Sequence, residues 1–440
     1  MSEASDRRAS ETSLVGHALA TGQPSTAIAA LLFAVLLISF RPFQPLGTGL
    51  STNSGDIVNQ LGFGLVGIRA LASLLMLADR RVVVALLSPW WLLALALLGL
   101  SIAQTPVPAD TMRSFAFSLI GVVTVMAVLA LPRDAEAFSH MLAFVGFVVI
   151  ALCYYGVVAM PGVATHQPGE VEAQLSGLWR GLFTHKNIAG PVMVDLAFAG
   201  IYLWRRGWRR AGAAMFVLTV IFVWNTGSKT ALATMVFSAV LVTLPMVFGA
   251  RLAVVALVLS AILCMAVATL GTVFIEPVRQ LAAMIVPDLT YTGRTSIWEF
   301  AGEMIARRPW TGYGFQNFWL TDTVFNTGGQ PFDRDWDIRG TVNGHNGYLD
   351  MVIDMGFPAM CVAVVTLVLV PLRDYMRVPL YRENVLLADL FMMIITFSLL
   401  DAFLETFFFQ RTNPMWMFFA VAVLGIRLVG RFRIPTRAPR

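Results

Sequence analysis

Apolar and polar residues alternate along the chain in long blocks, and twelve of the apolar blocks approach the length of a membrane-spanning helix. Such a helix needs about 20 predominantly apolar residues to cross the hydrocarbon core. The first and seventh blocks are short. We predict spans at residues 25–40, 57–78, 86–103, 111–131, 137–160, 188–204, 211–225, 229–248, 252–274, 346–371, 385–403 and 412–430.

The basic residues between these blocks predict the orientation of the chain. Cytoplasmic connections of membrane proteins are enriched in Lys and Arg. If both termini are cytoplasmic, the arginine-rich connections at 205–210 and 373–382 fall on that side together with residues 431–440. We therefore expect a disordered cytoplasmic tail at 1–24, a transmembrane domain at 25–430, and a basic cytoplasmic tail at the end.

Composition narrows the class to integral membrane proteins. Hydrophobic residues make up 57% of the 440 residues and charged residues only 13%, and the mean hydropathy is +0.73. The net charge of +5 raises nucleic acid as a partner, but membrane orientation explains the short basic clusters better, so we expect none. The predicted fold is an all-α polytopic membrane protein with about 12 transmembrane helices and a large, partly helical periplasmic loop.

Two connections on the outer side, 161–187 and 275–345, are longer and more polar than the rest. The second contains a predicted helix, because Ser296 and Glu299 have the spacing of a capping box and apolar residues recur at helical spacing after them. This helix either rests on the bilayer interface through Trp298 or covers a lipid substrate as a lid. We expect the functional surface on this side.

The first candidate site lies at a predicted helix start in the first of these loops. Lys186, one of only two lysines in the chain, stands between His185 and Asn187, with Arg180 nearby. Free N–H groups at a helix start attract anions, so we predict an anion site that suits phosphate oxygens. The alternative is that Asn187 only caps the helix and Lys186 reaches toward lipid headgroups.

Two further basic residues stand at predicted helix starts. The second lysine, Lys229, follows Ser228 in a tight outer turn, in which Ser228 is expected to cap the next helix. Arg294 precedes the amphipathic helix of the long loop and is expected to point toward the same surface. Each signal is weak when it is taken alone.

His345 and Asn346 close the long loop and lead directly into an apolar helix. Imidazole suits proton transfer near neutral pH, and Asn346 is expected to cap the helix. The positive end of that helix favours a neutral His345 that is able to accept a proton. The alternative is a surface histidine in contact with lipid headgroups.

Several acidic residues need an explanation of their own. The alternating carboxylates at 333–337 are either a Mg²⁺ site or an exposed acidic loop, and we expect neither a metal nor a cofactor. Charged residues within spans are costly unless they pair or face a cavity. We expect Arg69 to pair with one of three acids, which are Asp195, Asp401 and Glu405.

Five motifs in order carry a resemblance to a known family. They are Arg180 to Asn187 followed by Gly190; Gly227 to Thr230; Thr292 to Arg294 with Trp298; Pro309, Gly312 and Gly314; and His345–Asn346 with Gly356. The series resembles the O-antigen ligase and polysaccharide polymerase superfamily, including its exopolysaccharide-production branch. The motifs cover roughly residues 175–360, and the remaining chain is similar in topology only.

The resemblance implies a bacterial inner-membrane glycosyltransferase with a periplasmic active face. Its donor is a glycan on undecaprenyl diphosphate, which polymerases pass to another lipid-linked repeat unit and ligases to lipid A-core. The His-Lys-Asn motif favours a polymerase. A flippase for the same lipid would place polar residues along its spans, whereas here they gather in outer loops.

The resemblance also implies roles for individual residues. Arg180, Arg294 and His345 map onto the family's functional residues. The diphosphate-binding set comprises Arg180, Lys186, Asn187, Lys229 and Arg294, and the supporting set comprises His185, Ser228 and Asn346. Many relatives carry arginine at the position of Lys229, so two-pronged phosphate binding is doubtful there.

Overall fold

A computed structural model describes residues 23–44, 57–170, 173–284, 291, 293–319, 321–327, 338–339, 341–410 and 413–437. Within these residues the fold is helical and contains no strand, only an isolated bridge between Thr165 and Trp179. Apart from single turns, the helices are α1 Gln23–Ile38, α2 Ile57–Met76, α3 Arg80–Leu86, α4 Pro89–Leu100, α5 Pro108–Ala130, α6 Ala135–Ala159, α7 Lys186–Arg206, α8 Arg209–Asn225, α9 Lys229–Val247, α10 Arg251–Phe274, α11 Glu276–Ala283, α12 Arg294–Arg307, α13 Asp322–Thr327, α14 Gly347–Met376, α15 Arg382–Asp401 and α16 Pro414–Val429.

Every predicted span coincides with an apolar helix or helix pair of this fold. In the described part of the chain, eight helices are long and apolar enough to cross a membrane, and a ninth crossing results if α3 and α4, which meet at 59°, count as one. The helices α1, α8 and α16 are shorter, with 16, 17 and 16 residues. The all-α membrane fold is confirmed, whereas the number of twelve spans stays a prediction.

Helix α15 lies at the centre of the bundle. Of the residues in its most apolar stretch, 94% are buried, whereas the corresponding share for α10 at the periphery is 17%. Helices α7, α9 and α16 pack around it. Because α15 is enclosed by protein, the turn that follows it also lies inside the molecule.

Helix α14 is broken at Gly356, whose φ of 78° and ψ of 173° are not helical. The loop that follows α12 packs against the break: the Tyr313 N–H donates to the Ile353 carbonyl oxygen at 2.8 Å, and the Phe357 N–H donates to Pro309 at 2.8 Å. A Cβ on Gly312 would lie 2.5 Å from the α14 backbone. Glycine is needed for this close approach, which accounts for the Pro309 to Gly314 motif.

The two ends of α7 mark two polar layers of the bundle. At one end, Arg206 is buried between Glu136 and Glu383. At the other, Asn187 reaches across to the turn after α15. We call these layers the Arg206 end and the Lys186 end. The arginine-rich connections that the sequence assigns to one side of the membrane lie at the Arg206 end.

Two predicted charged features can be compared with the fold. Residues 431–437 are packed on the bundle, since the Pro435 carbonyl oxygen accepts from the Ala135 N–H at 3.0 Å and the Ile434 N–H donates to Asn384 at 2.9 Å. The predicted pairing of Arg69 with a buried acid is wrong, because Arg69 is exposed on α2 and has no acidic partner among the described residues. Residues 1–22 and 333–337 lie outside the described residues.

Candidate functional site

Glu405 joins three segments that are far apart in the sequence. One carboxylate oxygen, Oε1, accepts from Arg294 Nη2 at 2.7 Å and from Asn187 Nδ2 at 2.8 Å. The other, Oε2, lies 3.4 Å from His345 Nδ1. Three side chains that were predicted independently from their motifs therefore meet on one carboxylate at the Lys186 end.

The backbone at His345 is held in an unusual conformation. Its φ of 48° is left-handed, which costs energy for a residue with a side chain. The His345 N–H donates to Asn343 Oδ1 at 2.9 Å, and the Asn346 N–H donates to Thr406 Oγ1 at 3.1 Å. Asn346 Oδ1 accepts from two N–H groups of the first turn of α14, so the predicted cap is confirmed.

Asp350 fixes the loop from the side of α14. It is buried, and its carboxylate accepts from the Gly344 N–H at 2.9 Å, from Trp319 Nε1 at 2.7 Å and from Thr406 Oγ1 at 2.6 Å. Trp298 Nε1 donates to the Gly344 carbonyl oxygen at 2.9 Å. Gly344, the residue before His345, is therefore hydrogen-bonded through both its N–H and its carbonyl oxygen.

Arg294 is the first residue of α12 and follows Gly293, which has a φ of 86°. The predicted capping box is wrong, because the helix begins two residues before Ser296. Trp298 is fully buried in the cluster that α12 forms with α14. The interpretation of α12 as a helix resting on the bilayer through Trp298 is therefore wrong. The buried Trp298 instead anchors the helix that carries Arg294 against α14.

The start of α7 differs from the prediction for Asn187. His185 is the cap, with Nδ1 accepting from the Asn187 N–H at 3.1 Å. The Asn187 side chain is thereby left for Glu405, so the interpretation of Asn187 as the cap is wrong. Lys186 is half-buried, and its N–H donates to His166 Nε2 at 3.2 Å.

Arg180 makes no contact with the Glu405 group, which we define as Glu405 with Asn187, Arg294 and His345. It is fully buried, its Nη1 lies 2.8 Å from Glu170 Oε1, and its Nε donates to the Val163 carbonyl oxygen at 2.7 Å. Glu170 also accepts from His166 Nδ1 at 2.8 Å. Burial lowers the pKa of His166 and the Glu170 hydrogen bond opposes that shift only in part, which leaves a neutral ring. Arg180 orders the loop that supports α7, and direct contact with a ligand stays a prediction.

The turn before α9 packs on the start of α7. A Cβ on Gly190 would lie 3.4 Å from Ser228 Cβ. Ser228 precedes α9 but makes no side-chain capping bond, so that expectation is wrong. Lys229 is exposed. Lys229 therefore adds positive charge at the Lys186 end without belonging to the Glu405 group.

The electrostatics of Glu405 follow from its neighbours. Burial raises the pKa of Glu405, but the hydrogen bond from His345 and the positive charge of Arg294 outweigh burial, and the net pKa lies below its ordinary value of 4.5. Glu405 is therefore an anion at neutral pH. A proton on His345 Nδ1 points toward this anion, which leaves Nε2 as the nitrogen that can accept a proton.

Arg294 and His345 both keep hydrogen-bonding capacity for a ligand. The side chains of Arg294 and His345 are 20% and 30% exposed. Apart from the Glu405 contact, the Arg294 guanidinium has no hydrogen-bond partner among the described residues, and neither has His345 Nε2. The arrangement thus offers N–H donors for an anion and a base beside them.

One part of the chain matches a known protein family. The O-antigen ligase family model matches residues 214–364, about a third of the chain, which include Lys229, Arg294 and His345. The match supports a place for the chain in the O-antigen ligase and polymerase superfamily. A search of curated proteins finds no match to it.

Part of the site comes from outside the matched segment. Asn187 precedes residues 214–364 and Glu405 follows them. The sequence interpretation treated Glu405 only as a costly acid and overlooked Glu170 and Asp350. The sequence carries a signal for two of these three acids. Glu405 lies just beyond the end of a predicted span at 403, and Glu170 stands four residues after His166.

Proposed function

We propose that the protein is an inner-membrane glycosyltransferase that polymerises surface or exopolysaccharide repeat units. It transfers a glycan from undecaprenyl diphosphate to an acceptor hydroxyl on the periplasmic face, which corresponds to the Lys186 end. The observation that carries this proposal is the convergence of Asn187, Arg294 and His345 on Glu405. The match to the O-antigen ligase family model supports a membrane glycan ligase or polymerase in general.

The geometry supports an in-line displacement. The acceptor oxygen forms a bond to the anomeric carbon as the bond from that carbon to the diphosphate oxygen breaks. His345 Nε2 takes the hydroxyl proton as general base, and Glu405 stabilises the resulting imidazolium. The reaction inverts the anomeric centre and needs no metal.

The leaving diphosphate carries the developing negative charge. Fixed guanidinium and backbone N–H donors stabilise such charge in the transition state because they need no reorganisation. Arg294 supplies the guanidinium, and Lys186 with the N-terminus of α7 supplies further positive potential. Lys229 adds a charge at the rim.

A ligase that passes the glycan to lipid A-core is the second candidate, because the matching family model describes O-antigen ligases. Both activities need the same donor site and differ in the acceptor. The acceptor therefore decides between them.

A transfer assay tests the proposal. Purified protein is given an undecaprenyl diphosphate oligosaccharide in EDTA, with and without lipid A-core. We expect longer lipid-linked glycan without the core. Product that forms only on the core would establish the ligase. If neither product forms while the same preparation moves the lipid across vesicles, a flippase replaces the enzyme.

A further inference from the structure

A cavity of about 250 Å³ lies beside the Glu405 group. Its walls come from the first half of α14, the loop at 315–319, the segment at 342–343 and the turn at 406–410. Among the described residues that line it, none is Lys, Arg or His, and the charged ones are Asp350 and Asp354. The cavity therefore has acidic and neutral walls, whereas the neighbouring part of the site carries the positive charge of Arg294.

Asp354 has an unused hydrogen-bond acceptor in this cavity. The residue is only 9% exposed. Its Oδ2 accepts from the Gln316 N–H at 2.9 Å, whereas Oδ1 has no hydrogen-bond partner among the described residues. Asp350, by contrast, is occupied through both oxygens. Asp354 Oδ1 can therefore accept a hydrogen bond from a ligand in the cavity.

The lining restricts the class of ligand. The two carboxyl groups supply hydrogen-bond acceptors, which suit a ligand that donates hydrogen bonds, and the described residues of the lining offer no cationic side chain to hold a diphosphate. Trp319 and Phe408 offer aromatic surface, and Asn317 offers an amide. The cavity volume is smaller than that of pockets for drug-sized ligands, which measure about 300–1,000 Å³. A single sugar ring, with hydroxyl donors and apolar faces, meets these requirements.

We propose that this cavity binds the terminal sugar of the acceptor, an inference that rests on the proposed transfer reaction. Asp354 Oδ1 accepts a hydrogen bond from a ring hydroxyl and so helps to select the acceptor. The cavity adjoins the base, since Asn343 lines it and accepts from the His345 N–H at 2.9 Å, and Thr406, which also lines it, follows Glu405. The acceptor and the diphosphate thereby occupy separate sides of His345.

A binding experiment without turnover tests this proposal directly. The purified protein is titrated with two probes: the lipid-free oligosaccharide released from the source cells' lipid-linked glycan, and undecaprenyl diphosphate without sugar. We expect Asp354→Asn, which keeps the shape and the Gln316 contact, to weaken oligosaccharide binding about tenfold or more and to leave diphosphate binding unchanged. The matched control is Asp322→Asn, at an exposed carboxylate on α13, and we expect it to change neither.

A second variant covers the case in which Asp354→Asn misfolds. Val342 lies at the rim and is 65% exposed, so Val342→Trp narrows the cavity without disturbing the core. This variant should bind the oligosaccharide more weakly and bind undecaprenyl diphosphate with unchanged affinity. Absence of oligosaccharide binding to the wild type, or an unchanged affinity in both variants, would overturn the proposal even if the protein proves to be a transferase.

The kinetic experiment distinguishes acceptor sugar from donor sugar. With a lipid-linked donor and the free oligosaccharide as acceptor, Asp354→Asn should raise the acceptor KM about tenfold and leave the donor KM within about twofold. A rise in the donor KM instead would assign the cavity to the donor glycan and overturn the inference. If the wild type binds oligosaccharide without any transfer, the proposed reaction fails while the sugar site stands.

Discussion

Arg206 and Arg294 each pair with carboxylates, at opposite ends of the bundle. The Arg206 side chain is 3% exposed and contacts two acids, Glu136 at 2.6 Å and Glu383 at 3.1 Å. Arg294 is 20% exposed and pairs, among the described residues, with a single acid, Glu405, which it shares with other groups. Arg206 is therefore buried between two acids in one layer, whereas Arg294 remains partly exposed to a ligand in the other. We expect stability to depend on the Arg206 end and activity on the Lys186 end.

The largest expected effect is on turnover at the Lys186 end. His345→Ala and Arg294→Ala should each lower transfer by about 10²-fold or more, because the first removes the general base and the second a fixed charge at the leaving group. Transfer rates of purified, folded variants measure this. The control is His140→Ala, at an exposed histidine on α6 near the Arg206 end, and wild-type turnover in either site variant would refute its role.

The next effect is on folding at the Arg206 end. Arg206→Ala removes the buried cation that Glu136 and Glu383 share, and breaking a buried pair costs about 3–5 kcal/mol. Arg382, 3.0 Å from Glu383, retains part of the pairing, so we expect the lower end of that range. Thermal unfolding in detergent should show a clearly lower Tm, while the folded fraction transfers at the wild-type rate. Arg279→Ala, in a pair that is 53% exposed on both sides, should leave the Tm unchanged. An equal Tm loss in Arg294→Ala would contradict the division between the two ends.

A smaller effect distinguishes shape from charge at Arg294. Arg294→Lys keeps the positive charge but loses the planar fork that holds two oxygens at once. We expect transfer to fall by about tenfold, in line with one lost charged hydrogen bond. Full activity in this variant would reduce the contact to simple charge.

The smallest effect concerns stability as a function of pH. Burial raises the pKa of Glu405, but its bond to His345 and the charge of Arg294 lower the net value below 4.5. A lowered pKa in the folded state means that Glu405 stabilises the fold above about pH 4.5 and that this contribution is lost as pH falls through the folded pKa. The Tm difference between wild type and Glu405→Gln should therefore be full at pH 7 and shrink in acid; a difference that grows in acid would contradict it.

The helices were predictable because length and apolarity alone decide them. All twelve segments lie on helices, and the cap by Asn346 follows from residue type next to an apolar run. The site was predictable only in part. The motifs identified Arg294 and His345, but their shared partner Glu405 lies in a turn whose burial depends on the packing of α15. Asn187 and His185 exchange roles because tertiary contact with Glu405 overrides a local capping preference.

The central claim is that Glu405 contributes to transfer by positioning the side chains that it contacts, above all His345. A double-variant cycle tests this claim most directly. The kcat of transfer is measured for wild type, Glu405→Gln, His345→Ala and the variant with both changes. Because Glu405 orients His345, the combined loss should be clearly smaller than the product of the two single losses. If the single losses multiply, Glu405 and His345 act independently and the account is contradicted.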